Sequence, residues 1–262
     1  MKKTILCLVA AFTAITSATA QVDPRLFNHL SVGLNVGTPG IGADVAMPVT
    51  RFFDVEAGFS IMPKITYNTD VHLSMGSFID PISNTPVNLS NVPIQGKLNM
   101  VNGKVLINFY PLPLTGLHLT VGAYFGKGEI VEVYNTVPGQ MSTVTAYNNS
   151  PAVQSGLTKP IGLELGDYLL TPDANGNARA TLNTNGFKPY FGLGYGRAVP
   201  HKRIGFKFDL GVMVWGSPEV VDHNGVSLSK QDLDNSDGGA FRVISKFKVY
   251  PVLNFRLCGR IF

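Results

Sequence analysis

The chain has 262 residues, of which 45% are apolar and only 15% charged, with 28 Gly and 17 Pro. Globular proteins average about 25% charged residues, so a coiled coil, a charged disordered tail and a nucleic-acid-binding arm are excluded. The formal net charge of +4 is mild and gives no reason to expect a nucleic-acid partner.

The first twenty residues read as an address. Lys2 and Lys3 are followed by a nearly continuous apolar run from Ile5 to Ile15, then by Ser17-Ala18-Thr19-Ala20. This is the pattern of a secretory signal, cleaved between Ala20 and Gln21. The apolar run is too short to cross about 30 Å of hydrocarbon as a helix. Cleavage removes Cys7 and leaves Cys258 as the sole cysteine, so residues 21–262 form an exported domain without a disulfide framework. No later stretch reads as a membrane helix.

From residue 32 onward the chain alternates with period two, the mark of strands with one apolar face. Val32, Leu34 and Val36 begin it; Ile41, Ala43, Val45 and Met47 follow; then Phe53, Val55, Ala57, Phe59 and Ile61. The fourth and fifth segments carry Val101, Val105, Ile107 and Phe109, then Leu117, Leu119, Val121, Ala123 and Phe125. The sixth runs from Phe187 to Gly196 and the seventh from Ile204 to Trp215; the last ends at the C-terminus with Leu253, Phe255, Leu257 and Ile261 on one face and Arg256, Arg260 and Phe262 on the other. Eight strands of this length suit a bilayer, which a tilted strand crosses in about 9–11 residues; soluble strands average about 5–6.

Three connections are tight: 48–52, 110–116 and 198–203. Three are long: 63–93, 134–186 and 216–246. Short turns on one side and long loops on the other are the layout of outer-membrane barrels. The expected fold is all-β: a closed, antiparallel, up-and-down transmembrane barrel of about eight strands. Both termini fall in the periplasm and the long loops outside the cell.

The polar face is charged in near balance. Asp44, Asp54, Glu56 and Asp209 oppose Lys104, Lys188, Lys207, Arg256 and Arg260. An eight-stranded barrel is just wide enough for side chains to fill it, and charges buried there must pair. Asp44, Glu56, Lys104, Lys188, Lys207, Asp209, Arg256 and Arg260 are therefore expected to form ion pairs that plug the lumen. Glycines on the same face make room for their stems. Phe52, Phe53, Phe109, Tyr110, Trp215 and Phe262 collect at strand ends, as girdle aromatics do.

Other motifs reduce to structure. Gly192-x-Gly194-x-Gly196 lies inside an alternating strand and opens no helix, so the dinucleotide-binding context fails. In Pro172-Asp173-Ala174-Asn175-Gly176-Asn177 the Gly stands one place early for a calcium loop. The Asn-Gly pair reads instead as a hairpin turn between 168–170 and 178–182, extending strands five and six above the membrane. Asp232, Asp234, Ser236 and Asp237 read as a solvated loop. No metal spacing, no GxSxG and no catalytic trio appears, so neither an enzyme nor a cofactor is expected.

The segment Gly33-Leu-Asn-Val-Gly-Thr-Pro-Gly40, the run GFKPYFGLGYGRAVPHKRIGFKFDLGVMVWGSP at 186–218 and the ending KVYPVLNFRLCGRIF resemble the small outer-membrane β-barrel proteins of Bacteroidota. They are loosely similar to the OmpA-barrel and OmpW families. The resemblance implies the outer membrane of a Gram-negative bacterium. It implies lipid and lipopolysaccharide around the barrel, and the barrel-assembly machinery as the partner of the last strand, ending at Phe262. It implies no activity. The role expected is structural or surface recognition, with a narrow channel for small or apolar solutes as the alternative.

Overall fold

In a computed structural model of the chain, residues 29–165, 167–228 and 247–261 are described. The signal segment, Phe262 and the acidic cluster at 232–237 lie outside them.

Among the described residues seventeen strands follow one another: β1 (Ser31–Gly37), β2 (Gly40–Pro48), β3 (Phe53–Ile61), β4 (Ile65–His72), β5 (Ser77–Ile79), β6 (Pro86–Asn88), β7 (Asn91–Leu98), β8 (Val101–Phe109), β9 (Leu117–Gly126), β10 (Glu129–Asn135), β11 (Leu163–Leu165), β12 (Tyr168–Leu170), β13 (Arg179–Asn183), β14 (Phe187–Gly196), β15 (Ile204–Val214), β16 (Glu219–Asp222) and β17 (Val249–Arg260). Two short helices, Ser142–Asn148 and Pro151–Gln154, interrupt the series.

Eight of these strands close a barrel in the order β1-β17-β15-β14-β9-β8-β3-β2. Every pairing is antiparallel and joins neighbours along the barrel chain, with β17 closing onto β1. The up-and-down barrel expected from the alternation is therefore present, with those eight segments as its staves. Pleating sends alternate side chains in and out. Each outward position is Val, Leu, Ile, Phe, Ala, Met, Pro, Gly or Tyr, and none is charged. Leu34, Leu119, Phe191, Phe206 and Leu257 are among the exposed ones. A water-soluble barrel would reverse this, because an apolar band of this extent is unfavourable in water.

Aromatic pairs sit at both ends of the outer face. Phe53 stacks on its cross-strand neighbour Phe109 at 5.0 Å near the short turns. Phe125 meets Phe187 at 5.3 Å near the opposite end. Two residues assigned to the girdles from sequence are instead buried: Tyr110 turns inward and receives the Ala198 N–H on its hydroxyl at 3.0 Å, and Trp215 donates its indole N–H to the Phe247 carbonyl at 2.7 Å. Each ring carries a polar atom that finds a partner inside.

The long connections are not open loops. β4, β7, β10, β13 and β16 form a second sheet in the order β16-β13-β10-β7-β4. Each follows or precedes, within a few residues, the barrel strand standing in the same place in the row β15-β14-β9-β8-β3. One wall of the barrel thus continues upward, while β1 and β2 end at a tight turn where Gly40 takes φ +112°, a value open to glycine. The upward extension of strands five and six expected from sequence exists as β10 and β13. The hairpin around Asn175-Gly176 does not: 179–183 pairs with 129–135, and Tyr168–Leu170 pairs with Leu163–Leu165. The turn chemistry was legible, since Gly176 has φ +72°. Asp173 Oδ1 accepts N–H bonds from Asn175 and Asn177, both at 2.8 Å. That carboxylate caps its own turn, and no set of three or more metal-ligating side chains occurs among the described residues.

The hydrophobic core is shared by barrel and upper sheet. Leu106, Tyr124, Tyr190, Met213 and Val252 inside the barrel join Ile94, Val133, Leu163, Leu170 and Leu182 above it in one buried cluster.

Candidate functional site

The site is the middle of the lumen, where inward positions of β2, β3, β8, β9, β15 and β17 meet. Lys104 Nζ lies 2.8 Å from Asp44 Oδ2 and 2.6 Å from Glu56 Oε1. Lys207 Nζ lies 3.0 Å from Glu56 Oε2 and 2.9 Å from Asp209 Oδ2. Arg256 Nε meets Asp44 Oδ1 at 2.5 Å. Three carboxylates and three cations therefore form one chain, Arg256–Asp44–Lys104–Glu56–Lys207–Asp209, with Asp44 and Glu56 each between two cations. All six side chains are buried. Removing charge from water costs several kcal/mol per ion, which only near-ideal pairing offsets; the alternation of sign along the chain supplies that pairing.

Neutral groups complete the network. Asn35 donates to Asp44 Oδ2 at 2.8 Å, and His118 Nε2 lies 2.8 Å from Asp209 Oδ1 with its other ring nitrogen 3.1 Å from the Gly116 carbonyl. The Thr120 hydroxyl lies 2.8 Å from Asn108 Oδ1 and 3.2 Å from Asp209 Oδ1. His118 and Thr120 are the inward residues that alternate with the outward Leu117, Leu119 and Val121 of β9. Their closeness to Asp209 depends on strand stagger, which no local pattern reveals.

Two of the expected ion-pair residues stand apart, and the expectation is corrected for both. Lys188, near the upper end of β14, points its Nζ at Asn102 Oδ1 (3.0 Å) and the Lys127 carbonyl (3.4 Å). Its ammonium is held by neutral oxygens rather than by a carboxylate. Along the inward row of β14, Tyr190 follows it before Gly192 and Gly194 open space beside the charged layer. Arg260, at the lower end of β17, is half-buried and lines a cavity of about 640 Å³ at the short-turn mouth, together with Asp54 and Arg197. No carboxylate pairs with it among the described residues. The 198–203 turn explains the separation, because Ala198 and Val199 fold inward against Ala46. The Ala198 carbonyl accepts Arg256 Nη1 at 2.6 Å. That tight turn, read from sequence only as a connection, folds into the lower end of the lumen.

Glycine makes the crowding possible at two places. A Cβ on Gly33 would stand 2.3 Å from Arg256 Nε, and one on Gly194 would stand 2.6 Å from His118 Nε2 and 2.1 Å from the Phe208 carbonyl. Gly33→Val should therefore push Arg256 off Asp44 and lower the unfolding midpoint in detergent. Gly103→Val, whose Cβ would meet nothing closer than 3.7 Å, should be tolerated.

Cys258 is buried near the lower end, its thiol 3.2 Å from the Gly205 carbonyl.

No protein-family model matches the chain, and no curated protein matches it. Among solved structures it is similar to two from Acinetobacter baumannii. CarO2 matches at 15% identity and a TM-score of 0.48, over 88% of this chain and 98% of that one. CarO matches at 16% identity and a TM-score of 0.46, over 87% and 96%.

Proposed function

We propose that this chain is an outer-membrane β-barrel of a Gram-negative bacterium with a plugged lumen and a structural or surface-recognition role. The observation that carries the reading is the pairing of two faces: an outer band without a single charge, and an interior closed by a balanced ion-pair chain. A lipid environment favours the first, and a stable dry plug requires the second. Lipid and lipopolysaccharide would surround the band. Both termini would lie with the short turns in the periplasm, and the upper sheet would face outward. The final strand, ending at Phe262, would be the segment offered to the barrel-assembly machinery. No reaction and no cofactor is assigned.

A narrow channel for small or apolar solutes is the second reading. The cavity of about 640 Å³ at the short-turn mouth favours it, since a solute could enter from below as far as Asp54. Passage would then require the Ala198–Val199 stopper and the ion pairs to part.

The test is fractionation with gel mobility of boiled and unboiled samples, followed by planar-bilayer recording. The protein is expected in the outer membrane, heat-modifiable and electrically silent. Protease added to intact cells should cut at exposed upper sites such as Ile82 and Leu157 and spare 48–52 and 198–203. Recovery as a detergent-free periplasmic protein would overturn the reading; a steady conductance would replace the plug with the channel.

A further inference from the structure

Between the barrel rim and the upper sheet lies a waist where the chain crosses from one to the other at 62–64, 99–100, 127–128, 184–186 and 215–218. Two cavities meet there. One, of about 320 Å³, has only apolar and aromatic residues in its wall, including Met62, Leu98, Met100, Trp215, Val249 and Tyr250. Its volume reaches the lower end of the range of small-ligand cavities, about 300–1,000 Å³. The other, of about 240 Å³, is bordered by Lys64, Lys97, Arg179, Glu129 and Glu132. Ile130 and Val131 border both cavities. This double duty has a backbone cause. The β10–β13 register slips between Glu129 and Val131, a bulge that lets consecutive residues serve one wall.

The position of the apolar cavity is also informative. Val249 is exposed at the top of the outward row of β17 that continues through Leu253, Phe255 and Leu257. The uncharged band of the barrel thus runs up to the cavity's edge. In the charged cavity Arg179 holds Glu132 at 2.7 Å, while Lys97 rests 4.6 Å from the centre of the Tyr134 ring and Lys64 is exposed. With Glu132 already held by Arg179, two lysines face this cavity beside a single remaining acid, Glu129.

We infer that the waist binds an acyl amphiphile with an anionic head, one acyl chain in the apolar cavity and the head against Lys64 and Lys97. The inference rests on the membrane reading above, because the chain would enter from the level of the outer leaflet. An apolar occupant alone would use only the first cavity, and a soluble anion only the second. The shared Ile130–Val131 wall joins them into one site of the right polarity order. The acyl chain could belong to a free fatty acid or to an outer-leaflet lipid.

Trp215 is the only tryptophan in the chain and borders the apolar cavity, so it reports occupancy directly. The barrel would be placed in phosphatidylcholine nanodiscs and titrated with dibrominated laurate, whose bromines quench a tryptophan in contact. Saturable quenching that excess plain laurate reverses is expected. Leu98→Phe, which fills the cavity, should abolish it. The double variant K64Q/K97Q, which removes both ammonium charges and keeps long polar side chains, should weaken laurate about tenfold and leave dodecanol unchanged. Nanodiscs made with brominated-chain phospholipid identify the source: quenching there that laurate displaces marks a bilayer lipid as the resident chain, and quenching by free bromolaurate alone marks the fatty acid. Equal quenching in wild type and Leu98→Phe, or equal laurate affinity in wild type and K64Q/K97Q, overturns the inference. Failure to enter nanodiscs would instead count against the membrane reading, which heat-modifiability checks separately.

Discussion

Glu56→Ala should destabilise the barrel by about 3–5 kcal/mol, the cost of leaving buried charge uncompensated, measured by equilibrium urea unfolding in detergent. Glu56 is the central acid, touching Lys104 at 2.6 Å and Lys207 at 3.0 Å. Its removal leaves three buried cations against two carboxylates. The double variant Glu56→Ala/Lys104→Met restores the balance, because Arg256 keeps Asp44 and Lys207 keeps Asp209. It should cost less than the two single changes added together, and the difference measures the coupling. Phe206→Leu, on the outer face, should cost under about 1 kcal/mol, as a conservative apolar change with no cavity to form. If Glu56→Ala were as mild as Phe206→Leu, water must already reach the lysines, and the lumen would be a hydrated path.

Val121→Arg should cost about 2–4 kcal/mol in a bilayer, the penalty for a cation at the midplane of the lipid-facing surface of a barrel. Val121 is exposed halfway along β9, between Phe191 and Ile107 on the flanking strands. The same substitution at Ile82, exposed in a turn between β5 and β6, should change stability by less than about 0.5 kcal/mol, as surface changes usually do. Folding into liposomes of a short-chain phosphatidylcholine, followed by urea titration, gives both values. Equal tolerance at the two positions would mean that water, not lipid, bathes the band.

Much of this molecule can be read from the chain because an uncharged outer band imposes a simple rule on the barrel strands. Phe53–Ile61, Val101–Phe109 and Phe187–Gly196 are strands with the bounds that their alternation marks. Outward positions are uncharged without exception and nearly all apolar, so period two is clean over many residues. The same rule identifies the inward set, and six of its eight named members form the ion-pair chain.

The upper sheet obeys no such rule. β4, with the sequence ITYNTDVH, is exposed at all but one of its positions, so it carries no apolar stripe to betray it. β13 and β16 have only five and four residues. Their partners lie far off in sequence, as β10 and β13 do, and local turn chemistry at Asn175-Gly176 pointed to a nearer partner instead.

The sequence by itself determined the eight barrel staves, their inward and outward faces, the crowding glycines and the short-turn end, because each follows from residue type and a period of two. The tertiary structure alone decided which acid meets which base, that Lys188 and Arg260 stand outside the network, that the 198–203 turn folds into the lumen, and that the long connections rise as a second sheet. These depend on how far each strand is staggered against its neighbour around a closed ring. Closure brings Glu56 to Lys207 across 151 residues of chain, and no local signal carries that distance.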